Sequence, residues 1–170
     1  MKLCFAGLGS NQGDRLANLR AAVAHLAARG IQPVRVSSVY ETSPVGTSES
    51  QPEYLNAVVA VETELEPKEL VAAFLAIEHT LGRVRTTRNA SRVIDIDLLL
   101  AGDLVCSDPE AIVPHPRMHE RLFVLTLLRE IAAQTMHPVL RKTITECREM
   151  CLSQSDEHVR LFAPSTAIYP

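Results

Sequence analysis

The sequence has no paired CxxC spacing, no apolar run of membrane-spanning length and no large excess of either charge. Its four cysteines, Cys4, Cys106, Cys147 and Cys151, fall at irregular intervals, which argues against a disulfide framework or a zinc ribbon. Cys147 and Cys151 are spaced to share a helix face, but no further His or Cys pair completes a zinc set. The opening residues, Met1 to Gly7, turn polar before a secretory apolar region forms, so the expectation is a cytoplasmic protein with reduced thiols and no membrane association. Lys and Arg total 17 against 20 Asp and Glu, so the net charge of -3 argues against a general polyanion binder and against nucleic acid as a partner. Any anion site must therefore be local. No window joins low hydrophobicity to high charge, and there is neither a repeat nor a linker. What remains, 46% apolar residues in a chain of 170, suffices for one core without disulfides or a structural metal.

Hydrophobic spacing divides the chain into elements. Leu3 to Leu8 reads as a buried strand, followed by a glycine-rich turn and by Asp14 as an N-cap. Leu16, Leu19, Val23 and Leu26 then recur at helical steps until Gly30. Val34 to Thr42 reads as one strand, 43 to 53 as a long loop, and Leu55 to Glu62 as another strand. Pro67 opens a second helix that buries Leu70, Phe74, Ile77 and Leu81 and stops at Gly82. Val93 to Ala101 is an apolar strand, and helices are expected around Phe123 to Ala133 and Thr143 to Cys151. The order strand, helix, strand, strand, helix, strand predicts an α+β ferredoxin-like α/β sandwich, with a central, mainly antiparallel sheet and helices on both sides. The expected organisation is a single domain over residues 1–151 and a loosely packed C-terminal tail over 152–170.

The segment Arg92-Val-Ile-Asp-Ile-Asp-Leu-Leu-Leu100 carries the most chemistry. On a strand, Asp95 and Asp97 project to the same side, with their Cα atoms roughly 6.6 to 6.8 Å apart, while Ile94, Ile96 and Leu98 face the core. Two ionised carboxylates on one face repel each other and lose solvation, which favours a hard dication such as Mg²⁺. The same pair on a solvated face would need no metal. Arg83, Arg85, Arg88 and Arg92 precede this strand within ten residues, and guanidinium groups suit phosphate oxygens. They could equally form a solvated basic turn. Together the two clusters point to a nucleoside triphosphate, and the loop 83–92 is expected to be mobile and to close over the ligands, with Gly82 as its hinge.

A second, flatter substrate is suggested elsewhere. Tyr54 and Phe123 offer aromatic faces and Asn56 a donor and an acceptor, although core packing would also account for both rings. His115 and His119 would serve as well as surface histidines.

In chain order, Gly9-Ser10-Asn11, Tyr40-Glu-Thr-Ser-Pro-Val-Gly46, Gln51-Pro-Glu-Tyr-Leu-Asn56, Gly82-Arg-Val-Arg85, Arg92-Val-Ile-Asp-Ile-Asp97 and Val113-Pro-His115 with Arg121 and Phe123 resemble the 6-hydroxymethyl-7,8-dihydropterin pyrophosphokinases of folate biosynthesis. The resemblance covers nearly all of residues 1 to 150. It implies transfer of diphosphate from ATP to the pterin hydroxymethyl group, with release of AMP, by a monomer that uses two Mg²⁺ ions. Asp95 and Asp97 would be the metal ligands, and Arg83 and Arg92 would assist the transferring group. Glu78, Arg83, Arg85, Arg92, Leu98, His115 and Arg121 would form the ATP site. Thr42, Val45, Tyr54, Asn56 and Phe123 would form the pterin site. Where the family often has Arg-Trp-Gly-Pro-Arg, this chain has Arg88-Asn-Ala-Ser-Arg92. A weakly catalytic paralogue and a non-catalytic ferredoxin-like binding module are the alternatives, and release of AMP separates them from the active enzyme.

Overall fold

The computed structural model describes residues 1–44, 51–84 and 91–169. In chain order it contains β1 (Lys2–Ser10), α1 (Arg15–Ala28), β2 (Gln32–Val36), β3 (Val39–Thr42), β4 (Tyr54–Thr63), α2 (Pro67–Thr80) and β5 (Asp95–Ala101). These are followed by α3 (Leu122–Ala132), β6 (Met136–His137), β7 (Lys142–Thr143), α4 (Ile144–Leu152) and β8 (Val159–Ala163). The helix starts follow from capping chemistry. Asp14 accepts the Ala17 N–H at 3.0 Å, and Pro67 needs no N–H at its first-turn position in α2. Thr143 and Glu146 form a reciprocal capping box at α4.

The main sheet runs β5-β1-β4-β3-β8, with β2 also paired to β4, and every pairing is antiparallel. With β2 and β3 counted as one broken strand, β5, β1, β4 and that strand have the order of two split units, the ferredoxin-like arrangement. Leu19, Val23 and Leu26 of α1 and Leu70, Phe74 and Ile77 of α2 join the core that holds Leu8, Val59, Val61, Ile96 and Leu98. A second core joins Val124, Leu127 and Leu128 of α3 and Ile144 of α4 to Phe5, Val58, Ala60, Leu99 and Leu100. Helices therefore cover both faces, as the element order predicts. Among the described residues, no helix is long and apolar enough to cross a membrane.

Two local expectations need correction. The single strand foreseen over 34–42 is broken at Ser37, which is fully buried. Its backbone N–H donates to the Val58 carbonyl at 2.9 Å, and its hydroxyl accepts the Val58 N–H at 2.9 Å. A side chain thus takes the place of a backbone acceptor and divides β2 from β3. Ser37→Ala should cost about 1–3 kcal/mol, because it strands a buried N–H. An unchanged urea midpoint would show that the Val58 N–H finds another acceptor.

The other correction concerns residues 152–170, expected to pack loosely. Within them β8 pairs along β3, from Thr42 opposite Val159 to Val39 opposite Ala163, and Ile168 is buried in the first core. Tyr169 donates its hydroxyl to the Pro33 carbonyl at 3.0 Å. Without β8, β3 would present an open row of hydrogen-bonding groups. Sequence periodicity missed this strand because it has five residues and leaves Leu161 and Phe162 exposed, so no apolar alternation marks it.

Candidate active site

Two rows of residues cross the middle of the sheet. Asn56 of β4, Gly9 of β1 and Asp95 of β5 occupy one row, and Val58, Gly7 and Asp97 the next. The glycines leave the central strand bare on this face, and a cavity of about 520 Å³ opens over it. At Gly9 the approach is close, since a Cβ there would lie 3.0 Å from Asn56 Oδ1 and Asn56 would have to give way.

On the β5 side, the Asp95 carboxylate is bonded by Arg83 and, at 2.6 Å, by Arg92. Arg83 also pairs with Glu78 at 2.5 Å, and Glu78 accepts the Ile96 N–H at 2.8 Å, so a buried carboxylate ties the arginine to the strand. The Arg92 backbone is clamped by Asn11, whose side-chain oxygen accepts the Arg92 N–H at 2.8 Å while its own N–H donates to the Arg92 carbonyl at 3.2 Å. The Asp97 carboxylate lines the cavity with no hydrogen-bond or ion-pair partner among the described residues. Burial, and then the neighbouring Asp95, push its pKa well above the usual carboxylate range. His115 is the reverse case, pulled down to about 4 by burial and then by Arg121 and Arg117. It is neutral at physiological pH. Its Nδ1 accepts the Arg117 N–H at 3.2 Å, which leaves Nε2 as the protonated donor.

On the β4 side, Thr42, Ser43, Tyr54 and Asn56 meet Phe123 at the start of α3. Asn56 donates to the Thr42 hydroxyl at 2.7 Å, and burial pushes the Tyr54 phenol up. Val58, Leu99, Val124 and Leu127 add an apolar lining to the cavity.

Of the residues expected to form a site, Thr42, Tyr54, Asn56, Arg83, Arg92, Asp95, Asp97, His115, Arg121 and Phe123 all line this cavity. Glu78 is not on its wall but behind Arg83. Leu98 keeps its side chain turned from the cavity, as its place in the strand predicts. It is buried in the core with α1 and α2, because the two-residue strand period turns it away from Asp97. Val45, Arg85 and Arg88, and with them the central part of the loop expected to close, lie outside the described residues. Sequence reasoning did not assign Gly7, Ser43, Arg117, Leu99, Val124 or Leu127 to the site. Arg117 sits between His115 and Arg121, both already expected at the site, and the small residues of β1 beside a two-carboxylate strand were the signal for Gly7.

Asp95 and Asp97 offer only oxygen donors, and Asp97 is ionisable, desolvated and open to the cavity. That donor set suits a hard cation such as Mg²⁺, which binds one or two carboxylates and fills its other positions with water and phosphate oxygens.

The match to known proteins follows this geometry. The model of the 7,8-dihydro-6-hydroxymethylpterin-pyrophosphokinase (HPPK) family matches residues 5–133. This chain belongs to that family. It is 47% identical over 133 residues to the 2-amino-4-hydroxy-6-hydroxymethyldihydropteridine pyrophosphokinase of Bacillus subtilis, covering 78% of this chain and 79% of the relative. The enzyme of the same name from Methylorubrum extorquens is 48% identical over 133 residues, covering 78% and 84%. Among solved structures, the HPPK-DHPS protein of Plasmodium falciparum superposes with a TM-score of 0.69 at 16% identity, which speaks for the fold alone. That alignment covers 90% of this chain but only 45% of the Plasmodium chain.

Proposed function

We propose that the cavity is the active site at which this chain, an ATP-dependent HPPK, transfers diphosphate from ATP to 6-hydroxymethyl-7,8-dihydropterin in folate biosynthesis. The observation that carries this reading is the opposition of an acidic and an aromatic half-site across the bare strand β1, in a chain of this family. The pterin ring lies between Tyr54 and Phe123. Asn56, one amide N–H already given to Thr42, turns its other N–H and its carbonyl to the ring edge. Asp95 and Asp97 hold Mg²⁺, two ions in this reading, which supplies neutralising charge to the triphosphate when bound. Arg83 and Arg92 stand beside these carboxylates, where their planar donors suit the phosphate oxygens and the charge that shifts between them. Arg121 and the Nε2–H of neutral His115 add donors without placing a titrating base on the phosphates. The pterin hydroxymethyl oxygen attacks the β-phosphorus and releases its proton to solvent, the bond from that phosphorus to the α,β-bridging oxygen breaks, and AMP leaves with that oxygen. The chain acts as a monomer.

Incubating the protein with the reduced pterin, ATP and Mg²⁺ tests the reaction. AMP and the pterin diphosphate should appear together, whereas release of ADP or of no nucleotide would overturn the assignment. Phe123→Ala should weaken pterin binding by about 0.5–1.5 kcal/mol beyond the area effect while sparing ATP. Calorimetry that shows equal loss for both ligands would make Phe123 a packing residue only.

A further inference from the structure

Residues 157–163 lie outside the family match at 5–133 and outside the cavity lining, yet they contact the aromatic half-site from behind at several points. Glu157 Oε2 accepts the Phe123 N–H at 3.0 Å. The N-cap residue of α3, Arg121, makes no side-chain cap bond, so the carboxylate of Glu157 serves a first-turn amide that would otherwise lack an acceptor. Its negative charge also suits the positive end of the helix. Two residues further on, Val159 pairs with Thr42, the residue whose hydroxyl holds the Asn56 amide. Arg160 then pairs with Glu41, a buried carboxylate that Arg15 also binds at 2.9 Å. Arg15 in turn donates to the carbonyl of Glu53, next to Tyr54, at 2.7 Å. On the acidic half-site, Arg83 is held through Glu78 and the Arg92 backbone through Asn11.

We infer that residues 157–163 act as a buttress that sets the spacing of the aromatic half-site, with Glu157 as a positioning residue for Phe123. Pterin affinity then depends on a segment that never touches the pterin, while nucleotide affinity does not. The inference rests on the assignment of Tyr54 and Phe123 to the pterin. By thermodynamic reciprocity, bound pterin must also hold the segment more firmly in place.

Steady-state kinetics of the full chain carrying Glu157→Ala or Glu157→Gln provides the test. Loss of the cap should raise the pterin KM about five- to tenfold and leave the ATP KM within about twofold. Gln keeps a carbonyl acceptor and should recover most of the loss. In the unsubstituted chain, pterin should slow amide exchange at Val159–Ala163, whereas Mg-ATP should not. The buttress is overturned if the pterin KM is unchanged, if both KM values rise together, if Gln is no better than Ala, or if both ligands slow exchange equally. Phe123→Ala, measured alongside, separates the two layers of the argument. Should it raise the pterin KM while Glu157→Ala does not, only the buttress falls; should it leave the pterin KM unchanged, the pterin assignment falls and the buttress with it.

Discussion

Asp97→Ala and Asp97→Asn should each lower turnover by about a thousandfold, the scale expected when a preorganised charge at a transferring phosphoryl group is removed. Their circular dichroism should match that of the wild type, since Asp97 faces the cavity and not the core. Near-normal turnover of either variant at saturating Mg²⁺ would end the case for a metal ligand at this position. The same substitutions bear on stability in the opposite direction. Burial and Asp95 raise the pKa of Asp97, so the folded chain prefers its protonated form and loses stability as the pH rises through the carboxylate range. At neutral pH without metal, Asp97→Asn removes that penalty and should unfold at higher urea by about 1 kcal/mol. A variant that is less active and also less stable in EDTA would mean that Asp97 serves a structural bond instead. Gain of stability with loss of function is the usual sign of a site held ready for a ligand.

Arg92→Ala should lower turnover by about a hundredfold or more while leaving pterin affinity within about twofold. The side chain sits on Asp95, whereas the backbone is fixed separately by Asn11, so truncation removes the guanidinium without releasing the chain. Single-turnover rates and equilibrium pterin binding measured on one preparation decide the matter. A pterin Kd that rises as much as turnover falls would place Arg92 in substrate binding and remove it from transition-state stabilisation.

The acidic strand was the most legible part of this sequence because its message is local. A two-residue period is enough to put Asp95 and Asp97 on one face, and the structure has them there. The helices were legible for a similar reason, with Asp14, Pro67 and Thr143 announcing their starts. Leu98 shows where resemblance and periodicity diverged: a position in an ATP-site motif need not present its side chain, and the period already assigned Leu98 to the core. The break at Ser37 was hidden because it depends on a hydroxyl meeting Val58, more than twenty positions away. Strand β8 was hidden for a related reason. What holds it is β3 and the pairing of Arg160 with Glu41, neither of which is visible from the pattern of 159–163 alone.

The bare central strand also acts as a ruler. β4 and β5 lie on either side of β1, and neighbouring strands stand about 4.8 Å apart, so the backbones that carry Asn56 and Asp95 are separated by about 10 Å. That distance is metered by two ladders of main-chain hydrogen bonds, and no side chain can retune it. Loop changes around the cavity can alter how firmly each substrate is gripped, but the gap across which diphosphate must pass is written in strand register. Slipping β5 by a single residue against β1 would turn both carboxylates toward α1 and α2 and bring Ile96 and Leu98 out in their place.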